Sequence, residues 1–512
     1  MILKNKIVKD TIMLTVMQLF LDSAALVLNV FITRKLGTSA IGILSLTGSF
    51  LMLAGTVSNG NAFLCTSRLI SEELGKPDKN PNRVLLSGLL LCMILSVTVS
   101  AVLFMFSDAI GERFFSSAEM SRTVRLMPLA LIPGALAACF KGYFNAFRRS
   151  SVTAIADILE FIVKAGTIVL ITLAMKNPSD NSVCGILISG IIAGNCFSLF
   201  YFLIMFTRHH ERYSGKATLS FSRYVSFALP IMAGGIITSA LSSTNDALIP
   251  VTLRQYGDSV SEAFSRFGIF EAIVIPTLFF PSVVLCSMSG IIVSESARAA
   301  ASGNMERIRS IARRLIDYTL IFAVFAAAVL MRFGSEIGEL LGGGRLAGEM
   351  ISIIAPVIPF IYLEIILEAL IKGMGLQGFS SLNYLAEYAV RISVVLIFVP
   401  QFGFYGIVAS YYASNIIGNC SRFIKIVRHT GIRLNLLKSV VIPVGYAFLT
   451  MGTAELLMRL FSADTASIAE MIIFTALWAA GYFGIFRIFS GSRLSDLKND
   501  DVPKKVFVQS AQ

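Results

Sequence analysis

Charge is what this chain of 512 residues has least of. Only 14% of its residues are Asp, Glu, Lys or Arg, 55% are hydrophobic, and the mean hydropathy is +0.76. A chain of that composition cannot cover itself with a soluble surface of ordinary charge density. Histidine is scarce too: His209, His210 and His429 fall between apolar segments, with no His-Glu-x-x-His or Cys-His grouping, so no metal site is expected. Phosphate-binding loops are missing. Gly75-Lys76 and Gly215-Lys216 lack the upstream glycine and the following Ser or Thr that cradle a nucleotide, so direct ATP drive is excluded. The seven cysteines, at 65, 92, 139, 184, 196, 286 and 420, have no paired spacing and read as packing residues. Outside loops reach only about fifteen residues, too short for a catalytic domain, so the chain reads as no enzyme and needs no cofactor.

What the sequence has in abundance is long apolar runs. At about 20 residues per crossing, helices are predicted near 10–33, 41–63, 84–106, 124–146, 152–175, 183–206, 225–250, 267–292, 315–331, 350–371, 383–400, 403–421, 439–458 and 468–489. The fold class is therefore all-α, a polytopic membrane protein of about 14 transmembrane helices. With the N-terminus inside, cytoplasmic segments hold 30 of the 43 Lys and Arg and outside loops 11, with Lys164 and Arg391 inside helices. That asymmetry predicts a multi-pass protein of the cell membrane with both termini cytoplasmic. The net charge of +12 follows from loops facing anionic headgroups, so the partners are membrane lipids and no nucleic acid is needed.

The two halves repeat one another. Lys141-Gly142, Ser150-Ser151, Glu160 and Lys164 are answered by Lys372-Gly373, Ser380-Ser381, Glu387 and Arg391. Leu36-Gly37-Thr38-Ser39 is answered by Tyr256-Gly257-Asp258-Ser259, and Ser71-Glu72 by Ser294-Glu295. Six helices repeated in the same orientation imply two six-helix lobes related by an axis along the membrane normal. The expected organisation is one lobe over 1–215, a second over 216–430, two additional transmembrane helices over 431–490, and a cytoplasmic tail over 491–512.

Polar residues inside apolar helices mark where the lobes face a cavity, because lipid cannot satisfy them. Gln18, Asp22 and Asn29 share one face of the first helix, Asn59 belongs to the second, Ser242, Asn245 and Asp246 to the seventh, and Glu271 to the eighth. With Glu364 on the tenth helix and Glu387 and Arg391 on the eleventh, they are the substrate or ion cavity candidates. Glu160 and Lys164, one turn apart, form either a structural clip or a cavity pair. Glu368 and Lys372 follow Glu364 at helical spacing, with Lys372 able to snorkel to the membrane edge. Desolvation in a cavity makes Asp22 and Asp246 candidates for proton or sodium coupling. Arg148, Arg149, Arg298 and Arg313 form a basic cytoplasmic rim.

Several short motifs carry a resemblance. Leu229-Pro230, Asn245-Asp246, Gly257-Asp258-Ser259, Ile275-Pro276, Phe280-Pro281 and Ser294-Glu295 resemble the seventh-and-eighth-helix region of polysaccharide biosynthesis and export proteins of the stage V sporulation protein B type. Phe140-Lys141-Gly142-Tyr143-Phe144-Asn145-Ala146 is similar to their Arg-Gly-Tyr-Phe-x-Gly signature, and Val399-Pro400 through Gly406 to their Pro-x-x-Gly-x-x-Gly step. The resemblance spans roughly residues 5–490 and implies the multidrug/oligosaccharidyl-lipid/polysaccharide exporter superfamily. Its implied activity is alternating-access export of a lipid-linked saccharide by a monomer, the alternative being a cation-coupled multidrug antiporter. Lipid II flippases of that superfamily carry an Arg-Asp pair on helix one where this chain has Leu28-Asn29, so the phosphate grip of that arginine does not carry over.

Overall fold

The computed structural model describes residues 2–75, 80–114, 120–175, 180–209, 220–432, 437–460 and 468–499, and among them all regular structure is helical. All fourteen predicted segments fall on helices. The first is α1 (Ile2–Leu36), and the second is split into α2 (Thr38–Asn59) and α3 (Ala62–Leu74). The split has a local cause, since Gly60 and Asn61 both adopt left-handed backbone, φ 54° and 53°, which a continuous helix cannot contain. Then come α4 (Pro81–Met105), the short α5 (Ser107–Phe114) and α6 (Met120–Leu126), α7 (Pro128–Ala146), α8 (Ser150–Ala174) and α9 (Asp180–His209). The second half opens with α10 (Phe221–Tyr256). The eighth crossing is composite: α11 (Val260–Ile269), a π turn over Phe270–Val274, α12 (Ile275–Phe279), a 3-10 turn and α13 (Val283–Ala301). It is followed by α14 (Met305–Leu340), α15 (Gly344–Ile354), α16 (Ile358–Gly373), α17 (Gln377–Phe402), α18 (Phe404–Thr430), α19 (Ile442–Leu460) and α20 (Ile468–Asn499). The centre of the inter-lobe linker, 210–219, and the last thirteen residues of the tail lie outside the described residues.

Among the described residues, twelve of these stretches are long and apolar enough to cross a membrane by length and composition. The two that are not, α8 and α18, are where polarity sits inside the protein: Asp157, Glu160 and Lys164 on one, Asn415, Asn419 and Arg422 on the other. Hydropathy passes over them for the same reason that they matter.

The two lobes are packed by repeated contacts, which give the sequence duplication a physical meaning. A Cβ at Gly142 would lie 2.7 Å from the Phe63 carbonyl oxygen and 3.0 Å from Thr66 Cβ, and one at Gly373 would lie 2.8 Å from the Val293 carbonyl and 2.6 Å from Ser296 Cβ. Each Lys-Gly step is thus the point where α7 crosses α3, or α16 crosses α13, at backbone distance. α19 and α20 lie beside α14, their cluster built on Val324, Phe325, Phe333, Phe474, Trp478 and Tyr482. Trp478 Nε1 donates to the Ala447 carbonyl at 2.9 Å, so its one polar atom is satisfied in an apolar setting.

Candidate functional site: the seam between the lobes

The lobes meet where the second crossing lies against the eighth. A Cβ at Gly42 would fall 1.8 Å from the Phe264 carbonyl oxygen, and one at Gly268 2.4 Å from the Gly42 nitrogen, so α2 and α11 touch backbone to backbone. Beside that crossing Ser265 Oγ donates to Thr38 Oγ1 at 2.6 Å, and Arg34 Nη2 reaches the Leu340 carbonyl at 2.8 Å. Only glycine permits this approach, and the contact closes one end of the seam.

Polar candidates line the seam beyond the crossing. Asn29 Nδ2 donates to the Ala272 carbonyl at 3.0 Å. Pro276, four residues after Ala272, has no N–H to offer that carbonyl, so an amide from the opposite lobe supplies the missing donor at the π turn. Asp246 is buried and accepts from Ser49 Oγ at 2.5 Å and from Asn245 Nδ2 at 3.2 Å. Ser243 Oγ donates to the Ser49 carbonyl at 2.7 Å, so Ser243, rather than the neighbouring Ser242, faces the first lobe. Asp22 accepts from exposed Gln18 at 2.8 Å and lies within electrostatic range of Cys286 on α13, placing both on the side of α1 that meets the second lobe. Asn59 is spent locally, its side chain accepting from the Asn61 N–H at 2.9 Å in the break between α2 and α3. Glu271, in the π turn, is within electrostatic range of both Asp246 and Arg391.

Behind the seam the second lobe holds a buried network of charge. Arg391 Nη2 lies 3.6 Å from Glu387, its Nε donates to Ser414 Oγ at 3.0 Å, and its guanidinium stands over the rings of Tyr411 and Tyr388 at 4.7 and 5.4 Å. At the centre is Arg422, 0% exposed, reaching Glu364 at 3.0 Å, Glu387 at 3.0 Å and Glu368 at 3.4 Å. Glu368 also meets Lys372 at 3.2 Å and accepts from Ser380 Oγ, so Lys372 closes the network rather than only snorkelling. Arg422 is the residue that sequence reasoning missed. The apolar run bounds the twelfth helix at 421 and leaves Arg422 to a cytoplasmic loop, whereas α18 continues to Thr430. The signal that could have found it is the row Asn415, Asn419, Arg422, which extends one polar stripe at helical spacing.

The first lobe does not copy this arrangement, and the expected Glu160–Lys164 pair is not formed. Lys164 lies over the Phe161 ring at 5.5 Å, and both residues face α9, where a Cβ at Gly194 would meet Glu160 Cγ and Lys164 Cβ at 3.4 and 3.2 Å. Close helix packing spreads the two side chains apart. Asp157, on the same helix, pairs instead with Lys141 of α7 at 2.7 Å, both about one-third exposed. Of the rim, Arg298 pairs with Glu295 at 3.1 Å, Arg148 and Arg313 are exposed, and Arg149 is half-buried.

Two helical lobes meeting along a polar seam, with the charge of one lobe buried behind it, define a two-lobed, multi-pass membrane transporter fold. The fold is similar to a solved lipid II flippase, "Lipid II flippase MurJ, inward closed conformation", with a TM-score of 0.71, covering 94% of this chain and 100% of that one at 12% identity. It is also similar to a multidrug resistance MATE family transporter of the MOP superfamily in its inward-facing conformation, with a TM-score of 0.62, covering 81% of this chain and 94% of the other at 15% identity. Stage V sporulation protein B of Bacillus subtilis (strain 168) is 21% identical over 421 residues, 79% of this chain and 80% of that protein. The polysaccharide biosynthesis protein family model matches residues 7–289, more than half of the chain, and the chain belongs to that family.

Proposed function

We propose that this protein is an alternating-access flippase that moves a lipid-linked saccharide from the cytoplasmic to the outer leaflet of the cell membrane. The observation that carries this reading is the reach of the structural likeness: the lipid II flippase aligns over 94% of the chain, the multidrug transporter over 81%. Membership of the polysaccharide biosynthesis family supports the saccharide. The chemistry of the seam suits such a cargo. Asn29, Ser49, Asn245, Asp246 and Glu271 offer hydrogen-bonding groups for sugar hydroxyls, and Arg391 offers a guanidinium for phosphate. The basic rim at Arg148, Arg149, Arg298 and Arg313 attracts an anionic headgroup.

Coupling follows from charge balance. In the cluster at and behind the seam the five acids Asp246, Glu271, Glu364, Glu368 and Glu387 stand beside three bases, Lys372, Arg391 and Arg422, an excess of acid that a proton or sodium ion can offset. Asp22 adds an acid from the first lobe. The protein acts as a monomer with both termini cytoplasmic and membrane lipids around it; it requires neither a nucleic acid nor a cofactor, and no catalytic residue. In proteoliposomes containing a fluorescent undecaprenyl-pyrophosphate saccharide, the wild type should expose the label to external quencher faster than empty vesicles, and the Asp246→Asn variant should lose that rate or its response to pH and sodium. Broad resistance to cationic drugs in an expressing strain, with lipid-linked glycans unchanged, would overturn the flippase reading in favour of the multidrug antiporter.

A further inference from the structure

We propose that the back of the second lobe binds one anionic diacyl phospholipid of the cytoplasmic leaflet, its phosphate on Lys425, Arg428 and His429 and a chain in the slot behind them. α14, α16, α18, α19 and α20 border a cavity of about 760 Å³, open on its outer side past exposed Met331, Ile424 and Phe448, with a largely apolar lining that includes Leu320, Phe360, Phe423 and Val444. An empty space of that size would forfeit the dispersion contacts of its walls, and water finds too few polar partners there to fill it. In a bilayer the nearest filler is an acyl chain. The cavity adjoins a second pocket of about 700 Å³, and the two share Cys420 and Ile424. That pocket contains half-buried Lys425 and exposed Arg428 and His429, which share one face of α18 with Ile417, Ser421 and Ile424.

The state of these three bases points to an anion. Arg422, one turn before Lys425 on α18, and Arg391 on α17 are paired with carboxylates. Among the described residues, Lys425, Arg428 and His429 have no carboxylate within 4.0 Å, and the Lys425 ammonium lies over the Phe379 ring at 5.3 Å. Three unpaired donors at the mouth and an apolar slot behind them have the polarity of a phospholipid standing in a membrane. The place argues against cargo. Tyr411 is the α18 residue that meets the seam, in contact with Phe270, and Arg428 lies about 25 Å of helix beyond it. A lipid held there wedges α19 and α20 against the lobe without entering the path between lobes, so this site does not depend on the flippase reading.

Native mass spectrometry of the purified full chain, titrated with phosphatidylglycerol or with phosphatidylcholine of the same acyl chains, tests it. The wild type should hold one phosphatidylglycerol about tenfold more tightly than phosphatidylcholine. The Lys425→Gln, Arg428→Gln, His429→Gln variant should lose the preference, and Val444→Trp, which fills the slot, should bind neither. Equal binding of both lipids by the wild type, or a preference retained by the triple variant, would overturn the proposal. So would selective retention of a polyprenyl phosphate over phosphatidylglycerol, which would assign the site to the transported lipid. Arg428 and His429 are exposed and Lys425 is half-buried outside the paired charge network, so the triple variant keeps the test readable if Val444→Trp fails to fold.

Discussion

At the scale of single residues, the decisive contrast is between the two intramembrane charge groups. Arg422 is fully buried and shared among Glu364, Glu368 and Glu387, whereas Lys164 and Glu160 are half-buried and do not meet. Removing one member of a buried network strands the others without water, at a cost of about 3–5 kcal/mol. Arg422→Met should therefore lower the unfolding free energy measured by urea titration in detergent sharply, while Lys164→Met should change it by less than about 1 kcal/mol. Comparable losses for the two variants would contradict the network. Gly142 and Gly373 teach a related point: the sequence repeats Lys-Gly 231 positions apart, and it is the glycine, through backbone contact, that explains the position.

At the scale of elements, the eighth crossing is the most irregular and the most connected. Its π turn follows Gly268, precedes Pro276 and carries Glu271, and a single side chain from the other lobe, Asn29, occupies the Ala272 carbonyl. A π turn beside a proline is a local weakness held by tertiary contact. Asn29→Leu removes a hydrogen bond worth about 1 kcal/mol, and amide exchange over Phe270–Val274 should accelerate about fivefold, with α14 unchanged. Unchanged exchange over those five residues would show that Asn29 does not support the turn. The presence of fourteen helical segments was readable from apolar runs, including α8 and α18, where the runs are broken by charge. The ends were less readable: 315–331 became α14, Met305–Leu340, because a helix extends past the bilayer wherever its polar end meets water.

For the whole molecule, the conformation rests on the contact of Gly42 with Gly268. Any side chain at Gly42 collides with the Phe264 carbonyl, and backbone cannot yield as a flexible side chain can. A Thr38→Cys, Ser265→Cys pair should cross-link readily in the wild-type background, since the native hydroxyls are 2.6 Å apart. Adding Gly42→Leu should slow that cross-linking at least about tenfold, equivalent to about 1.4 kcal/mol against the closed seam. Equal cross-linking rates would mean that the lobes close elsewhere.

By itself the sequence determined the solvent, the helix count, the duplication and the polar residues to watch, because these follow from composition and period, which are properties of the chain taken a few residues at a time. Tertiary structure decided which of those residues meet. Four-residue spacing predicts both Glu160 with Lys164 and Glu387 with Arg391, yet only the second pair forms: Gly194 brings α9 against the first pair and separates it, while Arg422, from another helix, gathers Glu387 with Glu364 and Glu368. Spacing along one helix fixes a direction, and a charge in a membrane takes its partner from whichever helix is packed against that direction.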